Sequence, residues 1–140
     1  MMGAQSKQSP HLWLPCLHRV RRFHLLGERH LFANLGYDAC HTPSLPLGEQ
    51  RLWLYSDLLL HDLGPDLDDK VTQGQASGRD WRTTPLWGLG ARQRFLHDGR
   101  ARTIMEAIMA HGGEATTARQ RFLRLLPQDS DALLAFLSSL

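Results

Sequence analysis

A chain of 140 residues with a formal charge of +2 has room for one domain but hardly two, and its 42% hydrophobic content is that of a globular protein. A balance so near neutrality lacks the clustered basic face that a nucleic-acid binder needs, and no stretch approaches the roughly 20 apolar residues of a membrane-spanning helix. Two cysteines, Cys16 and Cys40, are too few for a disulfide framework of the secreted kind.

Residues 1–26 differ from the rest. They carry Lys7, Arg19, Arg21 and Arg22 with no acidic residue, and their apolar positions keep no period. A poorly ordered basic arm is expected there. The apolar run from Leu12 to Leu17 is short and broken by Pro15, so no export signal is visible. From Gly27 the pattern sharpens, and residues 27–140 read as one domain. Leu31, Phe32 and Leu35 share one helical face, and Gly36 is a natural stop. Pro43 and Pro46 then hold the chain in a loop. The run Tyr55 to Pro65 is ambiguous between a helical turn and an extended segment. Residues 66–80 read as a polar surface loop and Trp81 to Gly90 as ordered loop.

Three helices with clearer grammar follow. Thr103 and Glu106 form a capping box, and Ile104, Ala107, Ile108 and His111 then keep the i, i+3, i+4, i+7 spacing up to Gly112-Gly113. A second helix is expected over about 115–126, with Ala118, Phe122 and Leu125 on its stripe. A third begins near Asp129 or Ser130 and carries Leu133, Phe136, Leu137 and Leu140. No strand alternation of any length appears. The fold class expected is therefore all-α, with long ordered loops.

The chemistry concentrates around Cys40-His41. Cys-x-x-Cys-His is the attachment signature of c-type haem, in which two thiols form thioethers and the adjacent histidine reaches the iron. Here Tyr37 stands at the first cysteine position. A Cys-His pair alone says little, since it is most simply a buried thiol beside a surface histidine. The rest of the chain changes the balance. Phe32 to Pro43 (FANLGYDACHTP), Tyr55 to Pro65 (YSDLLLHDLGP), Trp81 to Gly90 (WRTTPLWGLG) and Phe95 to Ala115 (FLHDGRARTIMEAIMAHGGEA), with the closing LLAFLSSL, resemble in order the blocks of the C-terminal haem domain of the di-haem cytochrome c peroxidase-like family, which includes the di-haem thiol oxidoreductases. The resemblance covers Gly27 to Leu140.

That resemblance implies a cytochrome c-like helical domain around one haem c, held by a single thioether through Cys40, with His41 as proximal iron ligand. The distal ligand position falls on His111, which shares the apolar stripe of its helix, with Met109 as the alternative. His97 would lie near the haem, orienting a ligand or propionate, and Arg82 would pair with a propionate, as would Arg100 or Arg102. Full members carry a second haem domain that does the peroxide or substrate chemistry. The function implied is electron transfer to a redox partner protein or a second haem domain, in the periplasm, without peroxidase activity in this chain alone. Blander readings exist for each residue. His111 suits the C-terminal end of a helix dipole. Met105 and Met109 are ordinary core filler. His97-Asp98-Gly99 makes a turn, and His61-Asp62 a structural pair.

Three other functions compete. One is a haem-less remnant of the domain with a structural or interaction role. Another is a zinc module of Cys16, His18, Cys40 and His41, whose spacing matches no common finger. The last is a Cys40 hydrolase, for which no nucleophile motif is present.

Overall fold

The computed structural model describes residues 27–140; the arm expected over 1–26 and the zinc ligands Cys16 and His18 lie outside them. Helix α1 covers residues 27–34. Phe32 and Leu35 are buried, and Leu31 packs against the same cluster. Gly36 ends the helix at φ +88°, the left-handed conformation that a helix stop favours and a Cβ resists. A 3-10 turn, Tyr37–Ala39, carries the chain to Cys40 and His41.

The all-α expectation is wrong. The described residues contain four short strands in two antiparallel pairs, so the fold is mixed. Strands β1 (Leu45–Leu47) and β2 (Gln50–Leu52) form a hairpin around Gly48-Glu49, with Gly48 at φ +59° as a two-residue hairpin turn demands. Strands β3 (Leu60–Asp62) and β4 (Asp80–Arg82) pair across the polar loop between them. Each strand is three residues long, too short to display a period of two in the sequence. The ambiguous run after Tyr55 thus resolves as extended, and Trp81 and Arg82 belong to a strand.

The C-terminal half follows its helical grammar. Helix α2 is Ile104–Ala110, capped by Thr103, whose Oγ1 accepts the Glu106 N–H at 3.1 Å. The Glu106 carboxylate accepts the Arg102 N–H at 2.6 Å, one residue ahead of the usual capping-box partner. Helix α3 is Thr116–Leu123 and helix α4 is Pro127–Ser138. Helix α4 starts at Pro127, where the missing N–H costs no helical hydrogen bond.

The core joins α1, α2, α3 and α4 to Tyr55 and Leu89. The Phe32, Tyr55 and Phe136 rings meet edge-on with centroids 5.8–6.0 Å apart, a favoured geometry for aromatic pairs. Leu133 is fully buried, whereas Leu123 is 58% exposed. Leu133→Ala should therefore cost about 2–5 kcal/mol in a urea titration, and Leu123→Ala about 0.5 kcal/mol or less. Equal losses would mean that α4 does not carry the core.

Candidate functional site

One apolar-walled cavity of about 320 Å³ opens between the Tyr37–His41 segment, the end of β4, the 94–97 segment and α2. Its size lies within the range of about 300–1,000 Å³ usual for small-molecule and cofactor pockets. Cys40, His41, Arg82, His97 and His111 all line it, and Met109 does not. Phe32, Leu86, Leu89, Ile104, Ile108 and Leu137 supply much of the apolar wall.

His41 is held by a backbone clip. Tyr55 N–H donates to the Pro43 carbonyl at 3.2 Å, Ser56 N–H to Thr42 at 2.9 Å and Asp57 N–H to Cys40 at 2.8 Å. Across this clip the His41 Nδ1–H donates to the Tyr55 carbonyl at 3.0 Å. A carbonyl can only accept, so the proton sits on Nδ1 and Nε2 keeps its lone pair. Burial pushes the His41 pKa down to about 4, against the opposing effect of that hydrogen bond, so the ring is neutral at pH 7. Tyr55 adopts φ +53°, a left-handed conformation unusual for a non-glycine residue, at the point where its carbonyl meets His41.

His111 repeats the pattern on the helical wall. It is the C-terminal cap of α2, and its Nδ1–H donates to the Ala107 carbonyl at 2.6 Å. Burial again lowers its pKa, so a second neutral imidazole with a free Nε2 lines the cavity. A cationic reading at the helix end is not supported by that direction. Met109 is 39% exposed on another face of α2.

His97 stacks on Trp81, ring centroids 3.7 Å apart and 10° from parallel. The Trp81 indole N–H is anchored on the Leu67 carbonyl at 2.9 Å. His97 itself sits in a turn closed by Gly99 N–H on the Leu96 carbonyl at 3.3 Å. Arg82 is an exposed residue at the cavity lining, and its side chain engages no other described side chain or carbonyl. Arg100 is tied to the Asp98 carboxylate and the Asp66 carbonyl, and Arg102 lies outside the cavity. Arg92, Arg94 and Arg119 line the cavity instead, and no sequence pattern had marked them.

His61 does not pair with Asp62. Neighbours on a strand point to opposite faces. The His61 ring lies between two carboxylates, Asp57 at 2.8 Å from Nε2 and Glu114 at 2.8 Å from Nδ1, while Asp62 pairs with Arg79 at 2.5 Å. Burial works against protonation of His61, but the two carboxylates outweigh it and its pKa is raised. Glu114 reaches His61 because Gly113, at φ +51°, lies against strand β3; a Cβ there would collide with the Asp62 carbonyl. The Cys40 thiol has its pKa raised by burial and by the charges of Asp57 and Glu114, the reverse of nucleophile activation.

In donor type these residues suit a haem, since two neutral imidazoles and a thiol line one apolar cavity with Arg82 among its lining residues. The departure is Tyr37, which can form no thioether. Its ring stacks on Phe32 at 5.4 Å and lines the cavity, while its hydroxyl is buried without a hydrogen-bond partner, as is that of Tyr55.

A family model described as "Di-haem oxidoreductase, putative peroxidase" matches residues 11–140. The match extends upstream of Gly27, where the blocks read from the sequence begin. No curated protein and no solved structure matches the chain.

The neutral imidazoles carry a pH consequence. Between the unfolded histidine value near ~6.5 and the folded His41 value of about 4, the unfolded chain binds a proton that the folded chain refuses. The stability due to His41 is therefore complete above the unfolded value and is lost as pH falls through this window, and His111, whose pKa is lowered by burial, acts in the same sense. His61 acts in the opposite sense, since its raised pKa favours the folded state at low pH. In thermal melts of the haem-free chain, His41→Gln should make the loss of melting temperature on acidification shallower than in the parent. Identical slopes would mean that His41 is solvated.

Proposed function

The chain belongs to the di-haem oxidoreductase family, and from that premise we propose that it is a haem c-binding electron-transfer domain without peroxidase activity of its own. When bound, a haem supplies one-electron exchange at its iron. The observation that carries the reading is that His41 and His111 line one apolar cavity, each with Nδ1 committed to a backbone carbonyl and Nε2 left as the ligating nitrogen. Such outer hydrogen bonds fix the tautomer and the ring orientation of a ligating histidine.

The roles follow from these residues. His41 would hold the iron as the proximal ligand and Cys40 would be the single thioether anchor. His111 would be the distal ligand in preference to Met109, a choice favoured by Met109 lying outside the cavity. A methionine would raise the potential relative to a second histidine. Arg82 would neutralise a propionate, and His97, held by its stack on Trp81, would orient a ligand or propionate. The apolar wall around Phe32, Ile108 and Leu137 would give a bound haem a low-polarity surrounding. The electron partner is a redox protein or a second haem domain. The compartment is the periplasm, where the family's haem attachment takes place. Among the described residues no helix is long and apolar enough to cross a membrane.

The test is an absorption spectrum with pyridine haemochrome analysis, after expression with an added export signal and haem-attachment machinery. The expected result is a haemochrome band at the position of a single thioether, lost in Cys40→Ala. His111→Ala should change the low-spin spectrum, and Met109→Ala should leave it unchanged. Purification without haem would overturn the reading and leave a haem-less remnant of the domain.

A further inference from the structure

At the edge of the cavity, a second set of ligating atoms shares only the Cys40 sulfur with the haem reading. The Cys40 Sγ, one Asp57 carboxylate oxygen and one His61 ring nitrogen lie within 4.8 Å of one another. These are the three donor types that zinc accepts: thiolate, imidazole and carboxylate. We propose that Cys40, Asp57 and His61 form a binding site for a zinc-type divalent cation in the chain that carries no haem, with Glu114 as its outer support.

The geometry supports each part. The Asp57 N–H donates to the Cys40 carbonyl at 2.8 Å, so two of the ligand residues are joined through the backbone. Asp57 Oδ1 accepts the Leu59 N–H at 2.9 Å, which leaves Oδ2 turned to His61 Nε2 at 2.8 Å. The His61 and Asp57 side chains are only 16% and 13% exposed. His61 Nδ1 faces Glu114 Oε2 at 2.8 Å, and the other Glu114 oxygen accepts the Asp62 N–H at 3.1 Å. A carboxylate on the far nitrogen of a ligating histidine fixes its orientation and strengthens its basicity. Two carboxylates around one imidazole also make a locally negative environment, which favours a dication.

Three protein ligands leave a fourth position, and Cys40, His61 and Glu114 all border the cavity. That is the arrangement of an open zinc site rather than a closed structural one. Binding displaces the thiol proton of Cys40 and any proton on His61, and no other bond changes. The same sulfur cannot serve both cofactors. Once alkylated as a thioether it loses its negative charge and becomes a poor zinc ligand, so the two states are alternatives.

Cobalt(II) titrated into the full-length, haem-free chain, purified reduced from cells without attachment machinery, tests this. The expected result is a 1:1 near-ultraviolet thiolate-to-cobalt band with visible bands of tetrahedral strength, bleached by one equivalent of zinc. Cys40→Ser should abolish the ultraviolet band, and Asp57→Asn or His61→Gln should weaken binding at least tenfold. Glu114→Gln, at an exposed side chain, should weaken it about 10- to 100-fold without touching a ligand, and Cys16→Ser should leave it unchanged. No band in the parent chain, a band kept in Asp57→Asn and His61→Gln, or a band lost in Cys16→Ser would overturn the proposal. None of these outcomes bears on the haemochrome result, which reads matured protein.

Discussion

The clip between residues 40–43 and 55–57 is the constraint on which the site depends. Three backbone hydrogen bonds close it, and the His41 side chain spans it to the Tyr55 carbonyl. One consequence is chemical: His41 is locked as a single tautomer. Another is architectural: the Tyr55 ring is delivered between Phe32 and Phe136. The left-handed backbone at Tyr55 costs about 1–2 kcal/mol. Its two edge-on ring contacts each return about 0.5–1.5 kcal/mol beyond burial, enough to offset that strain. Core packing and ligand geometry are thus set by the same few residues.

Three of the four histidines around the cavity have been assigned opposite electrostatic characters by their partners. His41 and His111 donate their hydrogen bonds to backbone carbonyls, and burial keeps them neutral. His61 meets two carboxylates and is drawn towards the cation. A neutral imidazole suits a soft or borderline metal through its lone pair, and a carboxylate-flanked one suits proton or cation exchange. The division arises within a short stretch of structure, because the clip brings Asp57 beside Cys40 while Gly113 brings Glu114 beside His61.

Much of the helical frame was legible in the sequence. The stop at Gly36, the cap at Thr103 and the stripes of α2, α3 and α4 all rest on local grammar with a period near 3.6, and the structure follows it. The strands were not legible, since three residues carry no measurable alternation. Among site residues, Cys40 and His41 stood out through the attachment motif. Asp57 and Glu114 did not: Asp57 lies four residues before His61 in a stretch whose conformation the sequence leaves ambiguous, and Glu114 lies more than fifty residues away. Assigning Asp62 to His61 failed for a simple reason: adjacency in a strand separates side chains rather than joining them. Trp81 was likewise invisible as the platform for His97, a contact that depends on the position of β4.

Tyr37 is more than a missing cysteine. Its ring is stacked on Phe32 and belongs to the wall of the cavity, although its hydroxyl finds no partner. Putting a small thiol back at this position would remove an aromatic surface around which the neighbouring side chains are now packed, and large-to-small changes in a packed interior leave voids that relax only in part. A Tyr37→Cys change would therefore supply a second attachment thiol only at the expense of packing, because at this position the side chain serves architecture rather than attachment.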